Sequence, residues 1–433
     1  MAIQTKDVFG VSSKPVLSYI ERPSVDDKFV EALKSDKQIV VYGSSKQGKT
    51  ALVTKHLPYE DNITVSVTPK TNVIDIYASI LRQLGIKIKV SGQDSKGREA
   101  GMTVGMSFKA LIPLFGSANA KLDANAKSQI GENQQYEEVP FNLELPQDIS
   151  ELVHRIKKEV VVIIENFHYL DDDKQQQLAF DLRTFQELGI QFIILGVWRE
   201  KNRLIQFNGD LLDRVTEVPV EPWTEGEFHE VAEKGARELN IKIHENVISA
   251  CTNASFSSIG VFQELIKRTC VLSGIEKKSM LTKDVENVEF VHTAVSSKAS
   301  EYAGRHQRAL ESIAAGNVST RSTDGVQPLF LPYYLVKMIL ETGYAGVGNG
   351  IRRATIQEKI QASHHRGTDV RASDLSNLLH NLAKLQSNKN ISPPIIDYDK
   401  TNKILQIVDS TFYFFLRHAN LEEIANEIPS PLE

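Results

Sequence analysis

The stretch that most restricts this chain is Gly43 to Thr50, which reads GSSKQGKT. The apolar run Gln38-Ile39-Val40-Val41-Tyr42 precedes it, and the helix-forming run Ala51-Leu52-Val53-Thr54-Lys55-His56-Leu57 follows. Strand, glycine-bracketed loop, then Gly-Lys-Thr opening a helix is the phosphate-loop arrangement. Gly43 and Gly48 let the backbone curl without steric penalty, so the intervening N–H groups of Ser44, Ser45, Lys46 and Gln47 face an anion. The helix starting near Lys49, with Ala51 in its first turn, turns its positive dipole end to the same point. Lys49 reaches the β- and γ-phosphates, and the Thr50 hydroxyl ligates Mg2+. The pattern predicts a purine-nucleotide site built by residues 43–51.

Downstream, Ile63 to Val67 reads as a strand and Thr71 to Leu84 as an amphipathic helix, with apolar residues at helical spacing. Strand–helix alternation implies a three-layer α/β fold with a parallel sheet. Residues 89–146 break the alternation and are expected to be an insertion outside the core fold. A mobile surface loop is one reading; the other is a hairpin in which Met102, Met106, Phe108, Ile112, Leu114 and Phe115 contact a partner or a membrane.

The run Val160-Val161-Val162-Ile163-Ile164 is apolar and β-branched, as a central parallel strand is. Glu165 follows at its C-terminal edge, where ligands bind in open α/β sheets. Glu165 is the expected Walker B acid, organising Mg2+ together with Thr50. Asp171-Asp172-Asp173 reads as the acidic start of a helix. Gln191 to Val197 gives the neighbouring strand, and Arg199 at its tip is expected to sense the γ-phosphate. Arg214 is either a finger reaching a neighbouring subunit's nucleotide or an ordinary helix-terminal arginine.

A small helical lid is expected over residues 223–284, with helix caps at Thr224 and at Ser257 or Ser258. A long helix and a linker fill 285–325. Residues 326–433 read as helices followed by a two-stranded ribbon, which is winged-helix organisation. Residues 348–390 carry seven Lys or Arg against three Asp or Glu. That surplus is mild for DNA binding, which rests on several phosphate contacts. DNA reading and a packing or dimerisation role therefore both stand.

Composition excludes little. The net charge of −5 makes the 433-residue chain no polycation, so any nucleic-acid contact needs a local patch. Cys251 and Cys270 form no disulfide framework, which fits a reducing cytoplasm. The N-terminus shows no apolar secretory signal, and no apolar run is long enough to span a membrane.

The phosphate loop with Glu165, Arg199 and Arg214, the helical lid and the winged-helix-like module together resemble the AAA+/STAND branch of P-loop ATPases. The resemblance covers roughly residues 15–275, with a looser match beyond. It implies ATP and Mg2+ as cofactors, Lys49 on the phosphates, Thr50 and Glu165 around Mg2+, and Arg199 in the sensor position. It implies an ATP-driven switch that self-assembles in the ATP state and signals to a protein effector, as in phage-defence sensors. A DNA-acting ATPase of the transposition or loader type, and a non-hydrolysing scaffold, are the alternatives. The chain departs from the family at Asn166, where the family usually carries a second acid. An amide accepts no proton. The departure implies slow hydrolysis, with Glu165 as the base, or none.

Overall fold

The computed structural model describes residues 2–12, 14–91, 107–113, 136–157, 159–316 and 327–432. In chain order its strands are β1 (Gln38–Gly43), β2 (Ile63–Ser66), β3 (Lys87–Ser91), β4 (Ser107–Pro113), β5 (Tyr136–Phe141), β6 (Val160–Glu165), β7 (Ile190–Val197), β8 (Val215–Pro219), β9 (Ile241–Ile243), β10 (Lys283–Val285), β11 (Ile351–Arg352), β12 (Ile396–Asp399) and β13 (Ile404–Ile407). The central sheet runs β2-β6-β7-β1-β8 and every pairing in it is parallel. The chain leaves β1 for the far edge at β2, works back to β7, then crosses to β8 on the other side of β1. The ends of β1 and β7 thus lie where the winding direction changes, the position at which open α/β sheets open a crevice.

Alternation along β1 explains the three layers. Val40 and Tyr42 enter one hydrophobic cluster, and Ile39 and Val41 enter another on the opposite face. Leu52 and Val53 of the helix Lys49–His56 cover the second face, with Phe29 of the helix Lys28–Leu33. On the first face, Ile76, Tyr77 and Ile80 of the helix Val73–Gln83 pack with Leu178, Leu182 and Phe185 of the helix Asp172–Glu187. The expected fold class, a three-layer α/β P-loop fold with a parallel sheet, is what the chain adopts.

The region expected to be an insertion needs correction. β3, β4 and β5 form an antiparallel three-stranded sheet. Phe108, Ala110, Ile112 and Phe141 belong to the main core cluster, with Phe108 and Ile112 each 4% exposed. These strands are part of the core, and Phe108 and Ile112 offer nothing to a partner or membrane. The sequence reading allowed a hairpin here but set it outside the core, because the polar stretches on either side broke the strand–helix alternation. Met102, Met106, Leu114 and Phe115 lie outside the described residues.

Beyond β8, Thr224 caps the helix Glu225–Leu239 through a reciprocal capping box with Glu227. Ser258 caps the helix Ile259–Leu272 through the Val261 N–H. The stretch before and after this cap forms two helices, Glu245–Ala254 and Ile259–Leu272. The parallel pair β9–β10, unforeseen in the sequence, ties this region together. The helix Val288–Ala314 then leads to a last cluster. There the helices Leu331–Val347, Arg353–Ser363, Ala372–His380 and Leu382–Asn388 pack with a three-stranded sheet, β11-β13-β12, and the helix Ser410–His418. The Gly-rich stretch after Glu341 is largely helical, broken at Gly343. Among the described residues no helix is long and apolar enough to cross a membrane.

Candidate functional site

The phosphate loop leaves the C-terminal end of β1 and enters the helix Lys49–His56. Gly48 has φ 89°, a left-handed value that glycine adopts without strain. Ser45, Lys46, Gln47, Gly48, Lys49, Thr50 and Ala51 all line one cavity of about 310 Å3. Gly43 and Ser44 form the root of the loop behind it. Lys49 Nζ donates to the carbonyls of Gly43 at 3.0 Å and Ser44 at 2.7 Å. Burial, partly offset by Glu221 and Glu165, pushes the Lys49 ammonium down to about 8, although part of its surface stays open to the cavity. Seven of the nine loop residues named from the sequence line the cavity, and Gly43 and Ser44 do not. Lys46 swings away, and its Nζ lies 5.2 Å from the Tyr302 ring.

Glu165 lines the same cavity. Its Oε1 accepts the Thr50 hydroxyl at 3.3 Å and the Tyr59 hydroxyl. A hydroxyl and a carboxylate at this separation are donors that Mg2+ takes alongside phosphate oxygens and water. The pair fits the ion. Among the described residues no group of three His, Cys, Asp or Glu forms a protein-only cage. Asn166 has φ 61°, and its amide donates to Ser66 at 3.4 Å.

Arg199 and Arg214 stand elsewhere. Arg199 is absent from the cavity lining; its Nε lies 3.1 Å from Glu221 Oε1 and its Nη1 donates to Tyr413 at 2.9 Å. Arg214 sits at the opposite end of the sheet. Its carbonyl accepts the Gln38 N–H where β1 begins, and its guanidinium meets Gln186 at 3.0 Å and Glu187 at 3.2 Å. Five residue steps along β1, roughly 17 Å, separate Arg214 from the loop.

Several lining residues escaped the sequence reading. His168 takes the Val197 N–H on Nδ1 at 3.3 Å, and its Nε2 has no partner among the described residues. Burial, then the Lys49 and Arg203 cations, push His168 down to about 3, so a neutral imidazole faces the phosphate end. Val11, Val16, Tyr19, Ile20, Trp223 and Val231 give the same cavity an apolar wall, and the Trp223 ring lies close to Gly48 of the loop. Arg22 stacks on Trp223 at 3.6 Å.

The loop is also gripped from outside. Ser45 N–H donates to Val408 at 2.8 Å, and the Ser410 hydroxyl donates to the Ser45 carbonyl at 2.8 Å. Gly260 N–H donates to the Lys46 carbonyl at 3.0 Å. The segments around 260 and 408 thus meet on the loop itself.

A glycine-cornered loop after a central parallel strand, its lysine at the root and a carboxylate on the second strand over, decides the matter of fold. This is a P-loop nucleotide-binding fold. No protein-family profile and no curated protein matches the chain. Solved structures similar to it include the Walker-type ATPase PABY2304 of Pyrococcus abyssi, at 14% identity and TM-score 0.48 over 92% of this chain and 96% of that one. The ORC1 protein of Aeropyrum pernix, solved in complex with DNA, is 13% identical at TM-score 0.42, covering 93% of this chain and 90% of that one. The RuvB Holliday junction branch migration motor of Thermotoga maritima is 12% identical at TM-score 0.36, covering 92% and 95%. At such values the likeness is one of general shape, and the P-loop fold is read from this chain's own sheet and loop.

Proposed function

We propose that this protein is an ATP-binding P-loop ATPase of AAA+/STAND type that works as a nucleotide-dependent switch. The observation that carries the reading is the convergence of Lys49, Thr50 and Glu165 on one cavity beside an apolar wall. Lys49 and the loop amides bind the phosphates, Thr50 and Glu165 hold Mg2+, and the wall around Trp223 takes the base. Mg2+, when bound, supplies charge neutralisation between the β- and γ-phosphates. Glu165 is the only carboxylate lining the cavity among the described residues, so it orients the attacking water and the ion together. One group serving both tasks makes hydrolysis slow, which suits a state that must persist.

The switch reading draws on the grip on the loop. Residues 223–284 act as a helical lid and 326–433 as a winged-helix-like module, and both hydrogen-bond to loop residues through Gly260, Val408 and Ser410. A phosphate that reshapes the loop changes these bonds. Arg214 is remote from its own cavity and tied to Gln186 and Glu187; the homo-oligomeric ATP state and the protein effector are carried by the resemblance alone. The setting is cytoplasmic signalling of the phage-defence kind.

A second reading, a DNA-acting ATPase, draws on the exposed Arg352, Lys359 and Arg371 within residues 348–390. Arg371 is paired with Asp374 and Arg366 with Asp369, which lowers the patch's free charge. Calorimetry with Mg-ATP, and phosphate release with and without duplex DNA, test both. ATP binding that Lys49→Ala abolishes supports the ATPase. DNA-stimulated turnover moves the choice to the second reading. No nucleotide binding by the wild type defeats both.

A further inference from the structure

Phosphate binding does not account for one carboxylate at the loop. Glu221 follows β8, and its Oε1 accepts both the Ser44 N–H at 3.0 Å and the Ser44 hydroxyl at 2.9 Å. Its side chain is 11% exposed. An anion fixed there holds the root of the loop in shape, and it also repels a triphosphate bound a few residues on. The same carboxylate is the larger of the two that act on Lys49, whose Nζ bonds to the Ser44 carbonyl.

Arg199 answers that charge. Its Nε lies 3.1 Å from the Glu221 oxygen that holds Ser44, and its Nη1 is tied to Tyr413 of the helix Ser410–His418. Burial alone would lower the guanidinium; Glu221 and Tyr413 outweigh it and hold it above its ordinary value. The line Tyr413–Arg199–Glu221–Ser44 reaches the loop from behind, on the side away from the cavity.

We infer that Glu221 is a positioning residue of the phosphate loop and that Arg199 is its counter-ion, acting on bound nucleotide through Glu221 rather than by touching the γ-phosphate. The inference rests on the reading of the cavity as a nucleotide site. It separates two roles that a cation at this strand tip fills. A γ-phosphate contact acts on ATP alone. A counter-ion to Glu221 acts on every phosphate-bearing ligand, and its loss is repaired by removing the charge it balanced.

The test is a double-mutant cycle on the full chain. Dissociation constants for Mg-ATP and Mg-ADP are measured by calorimetry for wild type, Arg199→Met, Glu221→Gln and the double variant. Arg199→Met is expected to weaken both nucleotides at least about fivefold, because it leaves an uncompensated carboxylate beside the phosphates. Glu221→Gln keeps an acceptor for Ser44 and sheds the charge, so binding stays equal or tightens. The double variant returns to within about threefold of wild type, a rescue that a purely structural role for Arg199 would not give. A double variant as weak as Arg199→Met, or a loss confined to ATP, overturns the inference. If Arg199→Met does not melt cooperatively, Glu221→Gln decides alone: a tenfold weakening overturns the inference and unchanged or tighter binding upholds it. Wild type that binds ATP while the cycle shows no rescue defeats the inference only; wild type that binds neither nucleotide defeats the ATPase reading as well.

Discussion

Lys49 is held at a cost in the nucleotide-free protein, and Lys49→Met should expose that cost. Burial lowers its ammonium from 10.5 to about 8. A gap of that size is worth about 3 kcal/mol. The side chain keeps part of its surface on the cavity, so screening by water reduces the figure to about 2 kcal/mol. Against this stand two hydrogen bonds to the Gly43 and Ser44 carbonyls, each worth about 1 kcal/mol net. The terms nearly cancel, so Lys49→Met at pH 7.5 should unfold in urea within about 1 kcal/mol of wild type while losing ATP binding entirely. The pH dependence carries the sign. Between about 8 and 10.5 the unfolded chain keeps a proton that the folded chain has lost, so wild-type stability rises with pH there. Below about 8 both states are charged and the penalty is complete. Wild type should therefore gain about 1 kcal/mol on Lys49→Met between pH 7.5 and 9.5, other groups cancelling in the difference. A variant less stable by more than about 2 kcal/mol at pH 7.5, or a gap independent of pH, would refute the reasoning.

Three further outcomes follow from the geometry. Glu165→Gln should retain ATP binding but lower phosphate release by about 100-fold or more, since the group that orients water and ion is gone; turnover within threefold of wild type counts against Glu165. Gly260→Ala would place a Cβ 2.7 Å from the Lys46 carbonyl oxygen, so it should destabilise by about 1–3 kcal/mol and weaken ATP, read by melting and calorimetry; an unchanged ATP affinity would show that this contact is not coupled to the loop. Phe108→Ala should cost about 3–5 kcal/mol in urea unfolding, and a loss below about 1 kcal/mol would mean that β4 is not part of the main core.

What the sequence disclosed follows the range of the interactions involved. The phosphate loop, β1, β6 and β7 were legible because each is fixed by residues adjacent in the chain. A β-branched apolar run is a buried strand wherever it lies, and Gly-Lys-Thr after one such run is a loop and a helix start. Thr224 and Ser258 were legible as caps for the same reason. The strands β3 to β5 were not, because they pair across long polar connections and their apolar residues only become a face once the three strands lie side by side. The pair β9–β10 joins segments about forty residues apart and has no local pattern at all.

The same distinction runs through the site. Lys49, Thr50 and Glu165 occupy positions that a strand end dictates, and they meet as expected. Arg199 also follows a strand end, yet position alone did not settle where its guanidinium goes. Once Glu221 lies beside Ser44, the nearest stable place for that cation is against the carboxylate and the Tyr413 hydroxyl, not in the cavity. Glu221 comes from the segment just after β8, on the far side of β1 from β7, and Tyr413 from the last helices of the chain. No window of sequence contains all three. A strand end places the backbone of a charged residue, but its counter-charge and hydrogen-bond partners choose the rotamer, and here they arrive from segments 22 and 214 residues away. A motif read from the chain therefore locates a phosphate site well and assigns the cations around it poorly, unless each cation's partner is found first.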